Sequence, residues 1–259
     1  MSVSVPSYPD LDGKVAVVTG GSKGIGAATS VLLGHNRARV AVCGRDAATI
    51  ERVTSDTRSA GAAQAVGLAA DLTTPDGVAR LRAEVEGELG PVEVLFAFAG
   101  GFGARTPLLQ TQLEEWNAVV ESNLTSTFLT LREFAPGMVE RGSGSIVTMA
   151  SNAARFLDIQ LTASYAAAKA GIMMLSRHAA LELGPHGVRV NVLAPATILS
   201  ERVKTNMDEE RLAGIAAMSP LGTVGLPEDP ALAALFLASD SARWMTGVTL
   251  DVAGGRIMM

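Results

Sequence analysis

An α/β fold is predicted: one doubly wound domain, a parallel sheet of about seven strands with helices on both faces. Three observations carry this. Short apolar runs alternate with helix-length segments along the 259 residues, the pattern of repeated β-then-α units. The first run ends in a glycine-rich turn that opens a helix. No internal repeat, low-complexity stretch or interdomain linker divides the chain. Residues 1–10 are expected as a loose tail and 11–259 as the domain.

The elements follow in order. Residues 14–19 (Lys-Val-Ala-Val-Val-Thr) form a buried strand, and Thr19-Gly20-Gly21-Ser22-Lys23-Gly24-Ile25-Gly26 leads into a helix to about residue 36. Strand, glycine loop and helix make a phosphate-binding turn, because bare backbone N–H groups and the helix N-terminus favour an anion. A second strand spans 39–43 and a helix 47–60, with Asp46 as N-cap. A third strand, 63–68, leads to Asp71 and Leu72, where Asp71 can accept from an adenine amino group or serve the turn. A helix over 75–89, capped by Thr73 or Thr74, precedes a fourth strand at 94–98. Ala99-Gly100-Gly101 then lets a flat ligand approach the backbone. A long helix is expected over 113–140, with Asn123 an unfavourable residue inside it. The fifth strand, 145–151, ends on Ser151, and a loop delivers the chain to a helix at 165–183. A sixth strand, 188–193, exits through Ala194-Pro195-Ala196-Thr197. Residues 198–219 form a helical flap over the substrate, 231–238 a helix and 248–252 the last strand. Strand exits gather Gly20, Asp71, Gly100, Ser151 and Thr197 at one edge, where ligands of such sheets bind.

The chemistry centres on Tyr165-Ala166-Ala167-Ala168-Lys169. Residues four apart share a helix face, so phenol and ammonium are neighbours. A free tyrosine titrates near ~10 and a nearby cation lowers that value, which makes Tyr165 a general acid or base and Lys169 its activator. At the end of the second strand, where a carboxylate would bind a ribose hydroxyl, Gly44 stands with Arg45 beside it and Lys23 in the glycine loop. Two cations suit a 2′-phosphate, so NADP is favoured over NAD.

Composition excludes other classes. The formal charge of −5 argues against a nucleic-acid binder. One cysteine, Cys43, and the scattered His35, His178 and His186 give no metal site; Cys43 reads as a small buried hydrophobe. No apolar run reaches membrane-spanning length and the first residues lack a signal-peptide pattern, so a cytoplasmic location is expected. The 165–183 helix is apolar nearly all round, which suits a subunit interface.

The glycine motif, Asn123, Ser151, the Tyr165–Lys169 pair and the C-terminal Pro220-Leu221-Gly222, Phe236-Leu237-Ala238-Ser239 and Gly254-Gly255 occur in this order and spacing. From about Leu11 to its end the chain resembles the short-chain dehydrogenase/reductases, Rossmann-type enzymes. It is similar to the branch containing 3-oxoacyl-carrier-protein reductases and related ketone reductases. The resemblance implies that Tyr165 donates a proton to a carbonyl oxygen, Ser151 polarises that carbonyl, Lys169 lowers the tyrosine pKa and binds the nicotinamide ribose, and Asn123 holds a relay water. It implies cofactor contacts at Gly20, Ser22, Lys23, Gly24, Ile25, Gly26, Arg45, Asp71, Leu72, Ala99, Gly100, Pro195, Ile198 and Ser200, beside Tyr165 and Lys169. It also implies a homotetramer or homodimer through the 113–140 and 165–183 helices.

Three positions depart from the family pattern. Ala97-Phe98-Ala99-Gly100 replaces Asn-Asn-Ala-Gly, Pro195-Ala196 replaces Pro-Gly, and serine and tyrosine lie one residue farther apart than is common. Counting back from Tyr165 would choose Asn152; the strand pattern favours Ser151. Phe102, Arg105, Arg155, Phe156, Leu157 and the flap are expected to make an apolar pocket with one or two cations, suited to a carboxylate- or carrier-linked substrate. Alcohol oxidation and redox-assisted epimerisation are alternatives on the same fold. A non-catalytic cofactor-sensing or scaffold role is the alternative of another class.

Overall fold

The computed structural model describes residues 5–156 and 162–258. The strands are β1 (Val15–Thr19), β2 (Arg39–Gly44), β3 (Gln64–Ala69), β4 (Val94–Ala97), β5 (Gly144–Met149), β6 (Val188–Pro195) and β7 (Thr249–Val252). They form one seven-stranded sheet in the order β3-β2-β1-β4-β5-β6-β7, and every pairing is parallel. The major helices are α1 (Gly24–His35), α2 (Ala47–Ser59), α3 (Pro75–Leu89), α4 (Leu113–Val120), α5 (Ser126–Arg141), α6 (Ala163–Leu183), α7 (Glu201–Asn206), α8 (Glu209–Ala217) and α9 (Glu228–Ala238).

Strand alternation splits the interior into two cores. Val18, Val40 and Phe96 face one side and pack with Leu33 of α1 and Leu235 of α9. Their neighbours Val17, Ala41 and Leu95 face the other side, with Leu81 of α3 and Phe134 of α5. Burial on both faces explains why these strands read as continuous apolar runs. Each fully buried leucine or phenylalanine stabilises the fold by about 1.5–3 kcal/mol relative to an exposed one. Cys43 lies in the second core, and burial pushes its thiol up to about 12, so it behaves as a small hydrophobe.

Several boundaries follow from local hydrogen bonds. The Asp46, Thr74 and Thr162 side chains accept from the backbone N–H groups of Thr49, Gly77 and Tyr165, starting α2, α3 and α6. Such caps contribute about 1 kcal/mol each. The single helix expected over 113–140 is in fact interrupted by a π-helical turn, Glu121–Thr125. There the Asn123 amide donates to the Val119 carbonyl (2.8 Å), and the Thr127 hydroxyl donates to the Asn123 carbonyl (2.7 Å). Side chains that occupy carbonyls of the preceding turn disturb the helical ladder. The flap is two short helices, α7 and α8, the second begun by Asp208 accepting from the Arg211 N–H.

The segment expected as a loose tail is fastened where it is described. The Tyr8 N–H donates to Asn36 Oδ1 (2.6 Å), and Asp10 Oδ2 accepts from the Asp240 N–H (2.9 Å). Among the described residues no helix is long and apolar enough to cross a membrane.

Candidate active site

The order of the sheet reverses direction at β1, whose neighbours are β2 and β4. Thr19 pairs in register with Cys43 on one side and Ala97 on the other. The exits of the three strands therefore open at one level, with Gly20, Gly44 and Phe98 following directly. Such a reversal leaves a crevice at the strand ends.

The first turn is shaped for backbone approach. Gly20 and Gly24 have φ of +66° and +52°, and a Cβ on Gly26 would lie 2.2 Å from the Gly20 carbonyl oxygen. Lys23 stands at the N-cap of α1 and its side chain makes no capping bond, so the first-turn N–H groups stay available to an anion. Ser22 and Gly26 are buried; Ile25 is half-buried. A Cβ on Gly44 would meet Ser22 Oγ at 2.6 Å, so the second strand can end there only on glycine or with a shift of that hydroxyl. Beside it Lys23 and Arg45 are both exposed. Asp46 is held below the usual carboxylate range by the Thr49 N–H and hydroxyl, with Lys23 adding to this. Asp71 is held low by the Thr73 hydroxyl and N–H, with Arg45 contributing. These neighbours put Lys23, Arg45 and Asp71 in one exposed corner, with buried Leu72 beneath. Asp71 Oδ1 is spent on Thr73, which makes its turn role visible.

The exit of β4 is held without the family's asparagine pair. The Thr19 hydroxyl accepts from the Phe98 and Ala99 N–H groups (3.1 and 3.3 Å) and donates to the Phe96 carbonyl. Phe98 packs edge-on against Phe96, with ring centres 5.5 Å apart. Asn123 holds the next turn: its Oδ1 accepts from the Gly101 N–H (3.1 Å) and its Nδ2 donates to the Gly101 carbonyl (2.9 Å). Gly100, at φ +140°, passes so close that a Cβ would lie 2.4 Å from Asn123 Oδ1. Sequence reasoning missed Thr19 as the clasp of this turn, although its place at the strand end was a usable signal.

Tyr165, Lys169 and Ser151 come together where β5 ends against α6. Tyr165 and Lys169 are both buried. The Lys169 ammonium lies 5.6 Å from the Tyr165 ring centre and donates to the Met149 carbonyl (2.8 Å). The expected lowering of the tyrosine pKa by this lysine is overturned. Burial pushes the Tyr165 phenol up to about 12, while the neighbouring Ser151 hydroxyl and the Arg202 charge act in the opposite direction. Burial pulls Lys169 down to about 7, so near neutrality its charge is only partly present. Asn152 does not take the serine's place. Its Oδ1 accepts from Ser151 Oγ (3.2 Å), which in turn accepts from the Ala153 N–H (3.2 Å), so it orients that hydroxyl.

The far wall comes from the β6 exit and the flap. Pro195 and Ile198 are buried, and Ile198 bridges to Gly225. Ser200 meets the glycine loop: a Cβ on Gly24 would lie 3.5 Å from the Ser200 Cβ. A cavity of about 300 Å³ lies between the flap and β7, bordered by Ile198, Ile215, Val252 and Arg256. Of the expected pocket residues, Phe102 packs edge-on against Tyr165 at 4.7 Å between ring centres. Arg155 is paired with Asp251 (2.7 Å), and Phe156 lies beneath the Arg256 guanidinium, 5.2 Å away. Leu157 lies outside the described residues.

A reversed parallel sheet, a bare helix N-terminus at its reversal and a buried Ser–Tyr–Lys cluster two strands away define a nucleotide-dependent redox enzyme. The family profile for short chain dehydrogenase matches residues 14–211, and the chain belongs to that family. It is 35% identical over 250 residues to the 3-oxoacyl-[acyl-carrier-protein] reductase FabG of Vibrio cholerae, covering 96% of this chain and 100% of that one. It is 37% identical to the cis-4-hydroxycyclohexanecarboxylate dehydrogenase of Sinomonas cyclohexanicum, covering 93% and 96%. The fold matches a 3-oxoacyl-[acyl-carrier protein] reductase from Brucella melitensis with bound NAD, with a TM-score of 0.90, 30% identity and coverage of 100% and 99%. The chain is thus an oxidoreductase acting on alcohol or carbonyl groups with a nicotinamide cofactor.

Proposed function

We propose that the chain reduces a ketone to a secondary alcohol with NADPH, Tyr165 being the proton donor. The observation that carries this reading is the buried phenol of Tyr165 beside the hydroxyl of Ser151, which Ala153 and Asn152 orient. A phenol pushed up to about 12 keeps its proton throughout the neutral range, which suits donation to a carbonyl oxygen. Oxidation would begin from the phenolate, which burial disfavours. Ser151 Oγ, fixed by the Ala153 N–H and Asn152, is placed to donate to the same oxygen and polarise it. Lys169, down at about 7, can carry a proton in from solvent and pass it on to the phenolate left by each turnover. Asn123 would hold the water that relays protons to Lys169, its side-chain amide being fixed by the Gly101 backbone.

A bound nicotinamide supplies the hydride to the carbonyl carbon. The glycine turn, Ala99, Gly100, Pro195, Ile198 and Ser200 would hold the dinucleotide, with Asp71 and Leu72 at its adenine end. Lys23 and Arg45 support a 2′-phosphate, since no carboxylate follows Gly44 directly to repel it. The same reading includes a cytoplasmic location and a homotetramer or homodimer. Exposed Leu113, Phe128, Met174 and Leu181 on α4, α5 and α6 support assembly through those helices. The substrate is a small or carrier-linked carbonyl compound; the Vibrio relative is named for reduction of a carrier-linked 3-oxoacyl group and the Sinomonas relative for dehydrogenation of a small hydroxy acid.

The test is Tyr165→Phe, assayed by NADPH oxidation over a ketone panel. Turnover falls by roughly 10³-fold, the scale of a lost general acid, while NADPH binding persists. Undiminished turnover in that variant would sink the assignment.

A further inference from the structure

We infer that the substrate carries a carboxylate a few bonds from its reacting carbonyl, and that Arg202 of α7 binds it. The inference rests on the ketone–alcohol reading above and deepens it.

Arg202 is exposed at the start of the flap, yet it leans into the site. Its guanidinium carbon lies 5.1 Å from the centre of the Phe102 ring, and its Nη2 donates to the Phe102 carbonyl (3.4 Å). Phe102 in turn stacks edge-on against Tyr165 at 4.7 Å. The guanidinium therefore lies no farther from the Tyr165 ring than these two ring separations laid end to end. The head group lies close to Gly101, where a Cβ would sit 3.2 Å from Arg202 Nη1. Cation–π packing holds the head group from one side and leaves most of its donors unspent.

Within the described residues the remaining charges leave Arg202 without a protein carboxylate. Among the described residues no ion pair includes it: Glu201, its chain neighbour, is paired with Lys204 (3.1 Å), and Arg155, the other cation expected at the pocket, is paired with Asp251. A planar fork of free donors matches a carboxylate in two-pronged geometry, which a neutral ester cannot reproduce. The carbonyl must reach Tyr165 while the carboxylate reaches Arg202, and Phe102 fills the floor between them. That spacing selects a compact oxo acid over an acyl chain whose charge sits on a distant carrier.

The experiment compares kcat/KM for 4-oxocyclohexanecarboxylate and its methyl ester, and for 4-oxopentanoate and its methyl ester, with cyclohexanone as neutral reference. The wild type prefers each acid over its ester by roughly tenfold or more, the scale of a charge-assisted hydrogen bond. In Arg202→Gln the acid-to-ester ratio collapses toward one, and Arg202→Lys restores part of it. The ratio for the wild type also shrinks with added salt, because the site is exposed. A wild-type ratio of one or below in both pairs overturns the inference, as does a ratio that survives Arg202→Gln. Reduction of cyclohexanone but of neither pair overturns it too, leaving the ketone reading standing. No turnover of any ketone with either NADPH or NADH overturns both.

Discussion

The glycine turn and the flap border the same cleft but are built from different parts of the chain. The turn recognises through backbone: Gly20, Gly24 and Gly26 bring N–H groups forward, and the neighbours of Gly20 and Gly26 are other backbone atoms. The flap recognises through side chains, of which Arg202 is the clearest, on helices that are exposed along most of their length. Backbone recognition serves a group common to many reactions, the dinucleotide phosphates. Side-chain recognition on short, exposed helices can change without disturbing the sheet, and so carries what is particular to one substrate. A glycine change should therefore be costly on one side of the cleft and harmless on the other.

Gly26→Ala should have the largest effect. Its Cβ would lie 2.2 Å from the Gly20 oxygen and 2.8 Å from the Gly20 carbonyl carbon, both backbone atoms that cannot swing away. The turn must open, and the N–H groups meant for phosphate move with it. Dinucleotide affinity should fall on the order of 100-fold by titration calorimetry, and stability by about 1–3 kcal/mol as for other overpacked sites. Normal affinity would show that the turn gives more easily than its contacts imply.

Arg45→Asp is a sharper cut within the same half. It leaves the glycines alone and reverses one charge in the corner shared by Lys23 and Asp71. The ratio of NADPH to NADH affinity should drop by roughly 10- to 100-fold, the loss of one or two charge-assisted contacts plus repulsion. An unchanged ratio would place the 2′-position elsewhere.

Both halves differ in how far sequence could reach them. All seven strands, the glycine turn and the caps at Asp46 and Thr74 were legible, because apolar runs, glycines and capping residues act locally. The π-helical turn at Asn123 was not, since it needs the Gly101 turn to pack against that amide. The direction of the Tyr165 shift was misjudged for a related reason. Spacing along a helix gives the neighbour, but burial is set by Val119, Ala153 and Phe102 together, and here burial outweighs the Ser151 hydroxyl and the Arg202 charge. Arg202 gave only the faint signal of a cation in a first helical turn, where acids are favoured.

Lys169 turns that burial into a stability measurement. Its pKa is about 7 in the fold, against roughly 10.4 in the unfolded chain. Between these values the unfolded chain holds the extra proton, so this group makes stability rise with pH across that window. Below about 7 the full penalty of a buried charge is present; above the unfolded value it is gone. Urea unfolding of wild type and Lys169→Met at several pH values should therefore diverge, by roughly 1 kcal/mol per pH unit between pH 7.5 and 9.5 in favour of the wild type. Parallel curves would mean that Lys169 stays charged through its bond to Met149.

Gly214→Ala is the smallest change and the direct counterpart of Gly26→Ala. Gly214 lies inside α8, and a Cβ there meets nothing within 4 Å. Alanine favours a helix interior over glycine by about 1 kcal/mol, part of it through the unfolded chain. Thermal unfolding should shift upward slightly, and dinucleotide affinity should stay as it was. If the same methyl group weakened the cofactor here as well, the flap would have to share the backbone's role in holding it, and the division between the two sides of the cleft would fail.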